Sequence, residues 1–176
     1  MESGPRRRDE FDAVYNEVFP IILRVSYHVV GEQAVAEEIC QEAFIRFFQR
    51  MERFDDSAQA KYWLIRVAKN LALNHAKRRG RERRAYERVL MERTRPPDTG
   101  EDRVLKMEST EAVQEALTAL PEKLKSALVL REFGDLSYKE IATVLGISEG
   151  NVKVRIFRAR ERLGEILSKR GGVHVP

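Results

Sequence analysis

Residues 137–163 have the types and spacing of a helix pair that reads duplex DNA. Ser137 and Glu140 form a Ser-x-x-Glu box, in which each side chain can accept a hydrogen bond from a backbone N–H at a helix start. Gly146 then allows a turn, and Ser148 can cap the helix that follows. A short helix, a glycine turn and a longer basic helix are typical of a helix-turn-helix.

The second helix of this pair carries apolar residues where a solvated helix would be polar. If Val152 points inward, Val154 and Phe157 lie on the opposite side, near the end where recognition helices contact base edges. Apolar groups there can contact thymine methyl groups, and flanking cations can hold phosphates. The residues predicted to contact DNA are Lys153, Val154, Arg155, Phe157 and Arg158. The alternative is that Phe157 packs inside a helical bundle and that the arginines are ordinary surface.

A second set of residues suits unpaired bases rather than duplex DNA. It lies on a helix predicted from about residue 57 to residue 77, within about 60° on the helical wheel: Trp63, Arg66, Asn70 and Lys77. A ring can stack on a base, an amide can bond to a base edge and a cation can hold a phosphate. Phe54 adds an aromatic before this helix, and Arg78 begins an arginine run after it. From these residues alone, a core Trp63 and a solvated Asn70 are equally open.

A third set lies on the preceding predicted helix, from about residue 32 to residue 51. Its acidic and amide members form a stripe beside the core stripe: Glu37, Glu38, Gln41 and Glu42. Ile45 and Phe48 are expected to be exposed next to it, which favours a protein-docking face. A solvated acidic face is the alternative.

No metal, cofactor or catalytic site is expected. The chain has no Glu-x-x-His pairs, and its three histidines match no ligand spacing. Cys40 has no evident base and occupies a core position of its helix. We find neither a phosphate-binding glycine loop nor a nucleophile elbow, so the chain is not expected to be an enzyme.

These sets need helices to position them, and the whole chain has helical periodicity. We predict an all-α fold of two small helical domains joined by a flexible linker, the second domain containing the helix-turn-helix. The segment TRPPDTGED, residues 94–102, disfavours both helix and strand. The predicted divisions are a first domain at residues 10–80, a basic extension and linker at 81–108, and a second domain at 109–170.

Composition agrees with a protein that binds nucleic acid. The 176 residues are 34% charged and 43% hydrophobic, with a net charge of +4. That small value conceals two basic segments, 77–93 and 137–176, which coincide with the two candidate DNA surfaces. One cysteine excludes an internal disulfide, and no apolar run approaches the length of a bilayer span. A cytoplasmic location is expected.

Three ordered motifs resemble the extracytoplasmic-function group of bacterial sigma factors, in the sigma-70 family. AVAEEICQEAFIRFF is similar to the core-binding signature of region 2, and YWLIRVAKNLALNHAKRR is similar to its promoter-melting segment. LPEKLKSALVLREFGDLSYKEIATVLGISEGNVKVRIFRARERL is similar to region 4. The resemblance covers about residues 10–80 and 110–168.

The resemblance implies a protein that binds core RNA polymerase, directs promoter-specific initiation and is held by an anti-sigma factor. It assigns polymerase binding to Glu37, Glu38, Gln41, Glu42 and Phe44. It assigns the minus-ten element to Phe54, Trp63, Arg66, Asn70, Lys77 and Arg78, and the minus-thirty-five duplex to Asn151, Lys153, Val154, Arg155, Phe157 and Arg158. Asn151 stands where the family usually has Thr, and Val154 where Ser is common, which puts the preferred minus-thirty-five sequence in doubt.

Two other functions compete with a sigma factor. A stand-alone helix-turn-helix regulator would bind duplex DNA tightly without polymerase, and it would leave the acidic stripe and the Trp63 stripe without a role. A protein-interaction adaptor would have lost DNA binding altogether.

Overall fold

The computed structural model of the chain describes residues 4–93 and 109–170. Within these ranges it contains helices and no strand, which confirms the all-α prediction. The helices are α1 (Gly4–Val30), α2 (Gln33–Phe48), α3 (Ser57–Arg93), α4 (Ser109–Ala119), α5 (Glu122–Glu132), α6 (Tyr138–Leu145) and α7 (Glu149–Lys169), with a 3-10 turn at Met51–Arg53. The predicted linker at residues 94–102 lies outside the described residues.

Helices α1, α2 and α3 pack around an apolar core. The spacing of apolar residues along α1 buries Val18, Ile22 and Val25 completely. Each such side chain contributes roughly 1.5–3 kcal/mol when it is removed from water. The helix continues through Pro20, and Gly31 ends it with a φ of +79°, a left-handed conformation that favours glycine.

Helix α3 is longer than its sequence pattern predicts. The apolar stripe ends near residue 77, but the helix continues to Arg93. Residues 81–92 are all exposed, so packing does not hold this part. Strong helix formers and an ion pair one turn apart, Arg83 Nε to Glu87 Oε1 at 3.1 Å, support it instead. The predicted end at residue 77 is wrong because the apolar stripe shows only which part of the helix is buried. The exposed part beyond it is stabilised by the helix propensity of its residues, which the stripe does not report.

Helices α4 to α7 form a second group around Leu117, Leu130 and Ile156, all almost completely buried. Pro121 is the N-cap of α5 and directly precedes its first residue. Gly134 directly follows Phe133, the C-cap of α5, and a Cβ at residue 134 would lie 2.6 Å from the carbonyl oxygen of Leu130. The next residue, Asp135, takes a left-handed conformation with a φ of +54°.

The two helical groups pack against each other, a feature that the sequence did not predict. One connected cluster of buried side chains runs through both. On one side the imidazole of His28 in α1 stacks on the ring of Phe133, with centroids 3.4 Å apart. Beside it, Gln114 Nε2 donates to the carbonyl of His28 at 2.8 Å, and Arg24 Nε donates to the carbonyl of Phe133 at 3.0 Å.

Cys40 is completely buried in α2, as its core position predicts. Burial, assisted by the negative charge of Glu37, raises the pKa of the thiol to about 12. The thiolate is the reactive form, so about one thiol in ten thousand would be ionised at pH 8.

We therefore expect native Cys40 to react with a thiol reagent at pH 8 at least about 100-fold more slowly than in the urea-unfolded chain, where the pKa returns to about 8.5. Absorbance of the released chromophore measures both rates, and the chain has no second cysteine to confuse the signal. Equal rates in the two states would contradict the buried placement.

Candidate nucleic-acid interface

The helix-turn-helix is built by the two caps that the sequence predicts. Ser137 Oγ accepts from the backbone N–H of Glu140 at 3.1 Å, and Glu140 Oε2 accepts from the backbone N–H of Ser137 at 2.8 Å. Gly146 ends α6 with a φ of +66°. Ser148 Oγ then accepts from the backbone N–H of Asn151 at 3.2 Å and starts α7. Such caps typically contribute about 1 kcal/mol each.

The outer face of α7 is apolar at its centre and cationic at its margins. Val154 is 46% exposed and Phe157 is 63% exposed, so the alternative in which Phe157 packs inside the bundle is wrong. Arg158 and Lys153 are exposed on the same helix, and Lys153 Nζ lies 5.7 Å from the ring centroid of Tyr138. Arg155 Nε donates to Oδ1 of Asn151 at 3.1 Å. This face therefore offers both apolar contact and phosphate binding.

The aromatic part of the second set is assembled at the start of α3. The rings of Phe54 and Trp63 have centroids 5.3 Å apart, and the guanidinium of Arg50 lies 5.8 Å from the Trp63 ring. Trp63 is half-buried, so it is neither a closed core residue nor a free surface group. Arg50 was missed in the sequence because it belongs to the turn region before α3.

The polar part of the second set follows along α3 and is not gathered into one pocket. Asn70 is exposed about 10 Å beyond Trp63, since each residue rises about 1.5 Å. Lys77 and Arg78 are exposed about 10 Å further on. The arrangement is a line of contacts that suits an extended strand.

A cleft beside Phe54 was not expected from the sequence. It has a volume of about 260 Å³ and lies between α1, the end of α2, the 3-10 turn and the start of α3. Phe47, Met51 and Phe54 supply apolar side chains to it, and Asp55 and Asp56 supply carboxylates. Its residues come from two separate stretches of the chain, 10–14 and 47–60, so no local pattern predicts it.

Arg66 is turned toward α6. Its Nε donates to the carbonyl of Val144 at 2.8 Å, and one terminal nitrogen donates to the carbonyl of Thr143 at 2.8 Å. The Arg66 side chain therefore bridges the two helical groups. It shares the register of Trp63 and Asn70, but it does not point along the same open line.

The face of α2 is open and mixed in character. Glu37, Glu38 and Gln41 are exposed, while Glu42 is half-buried and accepts from Arg46 Nε at 2.7 Å. Ile45 and Phe48 are 54% and 53% exposed, as predicted.

Phe44 does not belong to the open face. It is 5% exposed, and its ring packs beneath Tyr15 with centroids 4.7 Å apart. Its position next to Ala43 and one turn before Phe47 places it on the buried side of α2. A direct contact between Phe44 and a partner stays a prediction, and in this structure its ring lies on the buried side of α2 beneath the exposed side chains.

Neither a metal site nor a membrane span appears in the part of the chain that the structure describes. No group of three or more His, Cys, Asp or Glu side chains within residues 4–93 and 109–170 is placed to hold a metal ion. Over the same ranges, every helix is too short or too polar to cross a bilayer.

Two family models match most of the described chain. The model of Sigma-70 region 2 matches residues 14–82, and the model of Sigma-70, region 4 matches residues 110–163. The chain is similar to the RNA polymerase sigma-H factor of Pseudomonas aeruginosa, with 35% identity over 95% of this chain and 90% of that protein. It is also 35% identical, over 84% of its length, to the ECF RNA polymerase sigma factor SigE of Mycolicibacterium smegmatis, of whose length it spans 58%.

A solved structure has a similar fold. It is the sigma factor RpoE in complex with the anti-sigma factor NepR, from Bartonella quintana. The TM-score is 0.64 with 22% identity, covering 90% of this chain and 96% of that chain. This likeness agrees with the helical architecture described above.

The different burial of two neighbouring residues on α7 gives a test of its outer face. Phe157→Ala should change the free energy of unfolding by less than about 0.5 kcal/mol, because the ring is mostly in water. Ile156→Ala should lower it by about 2–5 kcal/mol, because that side chain is 1% exposed. Urea unfolding followed by circular dichroism measures both, and a large loss in the Phe157 variant would show that the ring is packed.

Proposed function

The chain belongs to the sigma-70 family, in its extracytoplasmic-function group of sigma factors, and we propose how its surfaces divide the work of transcription initiation. In this proposal α2 binds core RNA polymerase, α3 and the loop before it open and hold the minus-ten element, and α7 reads the minus-thirty-five duplex. The protein would act in the cytoplasm, under the control of an anti-sigma factor. The observation that supports this proposal is that three chemically different surfaces lie on three different helices of one packed molecule.

Polymerase binding is assigned to the α2 face. Its exposed apolar centre of Ile45 and Phe48, rimmed by Glu37 and Gln41, resembles the anchor-and-rim organisation of protein interfaces. Tyr15 of α1 is 38% exposed beside it and extends the apolar area. Phe44 supports the face from below.

Promoter opening is assigned to the start of α3. Extruding a base from the duplex costs a few kcal/mol, so a site that offsets this cost needs stacking surface already in place. Phe54 and Trp63 supply that surface, and the cleft beside Phe54 is a candidate for the extruded base. Asn70 follows at a distance that suits a neighbouring base of the same strand.

The basic end of α3 continues this line of contacts. On the helical wheel it shares the register of Trp63 and Asn70, within about 60°, and consists of Lys77, Arg81, Arg84 and Arg88. All four are exposed, and they span about 16 Å of helix. Cations in this arrangement suit the phosphates of the duplex that adjoins the melted strand.

Minus-thirty-five recognition is assigned to the outer face of α7. Val154 and Phe157 offer apolar contact to thymine methyl groups, and Lys153, Arg155 and Arg158 offer phosphate contacts. Asn151 can act both as a hydrogen-bonding group toward DNA and as the partner that orients Arg155. A stand-alone regulator would need only this helix and would leave the α2 and α3 surfaces without a ligand.

Run-off transcription with core polymerase tests the function, and Asn70→Ala tests the α3 assignment. The wild type should give specific transcripts from a cognate promoter, while the Asn70 variant should bind core normally and open the promoter at least about tenfold less, since an amide that bonds a base edge is lost. Permanganate footprinting of unpaired thymines measures opening. Asn16→Ala, an exposed amide on α1, is the matched control.

Two results would count against this assignment. The absence of any specific transcript would exclude a sigma factor. Normal permanganate reactivity in the Asn70 variant would remove Asn70 from the strand-binding line while leaving the function intact.

The α2 assignment is tested by Gln41→Ala combined with Glu42→Ala. We expect core polymerase binding to weaken by at least about tenfold, because two rim groups of one interface are lost together. Fluorescence anisotropy of labelled protein titrated with core enzyme measures the affinity. Asp12→Ala with Asn16→Ala removes the same two chemical groups from exposed positions of α1. Equal affinities of the two double variants would mean that the α2 stripe is only a solvated face.

A further inference from the structure

Beside the start of α3 lies a cation that the assignments above leave without a role. Arg50 is exposed and directly precedes the 3-10 turn at Met51–Arg53. Its backbone is fixed there, because its N–H donates to the carbonyl of Phe47 at 2.9 Å and its carbonyl accepts from the N–H of Arg53 at 2.9 Å. From this position the side chain extends toward α3, where its guanidinium lies 5.8 Å from the centre of the Trp63 ring.

The charge of Arg50 is not balanced by a carboxylate. The three acidic residues within six positions of it in the chain are all bonded elsewhere. Their partners are Arg7 for Glu52, and Gln59 for both Asp55 and Asp56. Within residues 4–93 and 109–170 the Arg50 guanidinium forms no ion pair and no hydrogen bond, and it lies over the Trp63 ring instead. Its positive charge is therefore available to an added anion.

The ring beneath Arg50 is a stacking surface. Trp63 is half-buried, and the Phe54 ring meets it at an angle of 59° with centroids 5.3 Å apart, so this contact is tilted and not a parallel stack. A guanidinium is planar and stacks on an aromatic ring much as a base does. In the free protein Arg50 therefore lies over ring surface that an unpaired base would use.

We propose that Arg50 binds the phosphate of the nucleotide whose base stacks on Trp63, and that its guanidinium leaves the ring as the base arrives. The proposal rests on the assignment of the start of α3 to the melted minus-ten strand. A base and its phosphate belong to one nucleotide, so a base on the ring brings a phosphate near the guanidinium. Arginine suits both positions, because its planar fork stacks on a ring and also pairs with phosphate oxygens.

The exchange at Trp63 favours a nucleotide over other ligands. A cation over a solvent-exposed ring is a weak contact, whereas base stacking and a charge-assisted bond to phosphate are each stronger. The protein thus gives up one weak contact and gains two. A ligand with a ring but no anion leaves the displaced guanidinium without a partner, and an anion without a ring leaves Trp63 uncovered.

The chain has one tryptophan, so its intrinsic fluorescence reports on this site alone. The full chain is titrated at several salt concentrations with an oligothymidine strand of about 12 nucleotides, a length within the usual range of single-strand sites. A base stacked on the indole quenches its emission. The variant Arg50→Gln removes the cation, and Arg50→Lys keeps the charge but loses the planar fork.

The two variants should differ in how their affinity depends on salt. Arg50→Gln should need at least about threefold more strand for half-maximal quenching, because one charge-assisted contact is lost. The slope of log affinity against log salt should become shallower by about 0.7, the value for one phosphate of a single strand, whereas Arg50→Lys should keep the wild-type slope. Arg53→Gln is the matched control and should also keep it, since Arg53 is an exposed arginine of the same turn that has no ring contact within the described residues.

Equal salt slopes in the wild type and Arg50→Gln overturn the proposal, because a residue that only shields Trp63 from water changes the emission of the free protein and not the slope. If the free wild type shows no quenching, the holoenzyme decides. There Arg50→Gln should lower permanganate reactivity at the minus-ten element and Arg53→Gln should not, so normal reactivity in both overturns the proposal as well.

Run-off transcription by the wild type separates this proposal from the function on which it rests. Where specific transcripts form, an unchanged Arg50→Gln variant removes the Arg50 assignment alone, and the sigma factor stands. Where no specific transcript forms, the function fails and the Arg50 assignment fails with it.

Discussion

The burial of one stripe of α3 is the constraint on which the rest of the structure depends. Leu64, Ala68 and Ala72 are completely buried against α1 and α2, and this sets the rotation of the helix about its own axis. Successive residues of an α-helix are about 100° apart around its axis, so this rotation sets the direction of every other side chain on the helix. Trp63, Asn70 and Lys77 therefore fall on one line without any local device to place them. A core formed by small and branched side chains thereby positions a polar surface that it never touches.

Local features of this fold could be predicted from sequence because their physics is local. The Ser137–Glu140 capping box needs only the four residues that form it, and it is present as predicted. The exposure of Val154 and Phe157 follows from the burial of Val152 through helical periodicity alone. The same reasoning predicted the exposed Ile45 and Phe48. In each case the spacing of residues along one helix is enough to predict the cap or the exposed side chain.

The features that the sequence did not predict have the opposite property. The two helical groups meet at His28 and Phe133, which are about one hundred residues apart in the chain. The cleft beside Phe54 is made of residues from two separate stretches of the chain, 10–14 and 47–60. Each of these features depends on which helices contact each other, and the contacts between distant helices cannot be inferred from a single sequence.

Arg66 combines both cases in a single residue. Its register on α3 is local and is the basis of its predicted place in the strand-binding set, yet its partners are carbonyls 77 and 78 residues further along the chain. A helix C-terminus and a phosphate present similar chemistry to a guanidinium, since both offer oxygen acceptors with negative potential. A guanidinium that suits a phosphate therefore also suits the C-terminus of a helix in its own chain. When such a helix belongs to the neighbouring helical group, the same capping chemistry joins the two groups, as the bonds from Arg66 to the carbonyls of Thr143 and Val144 do here.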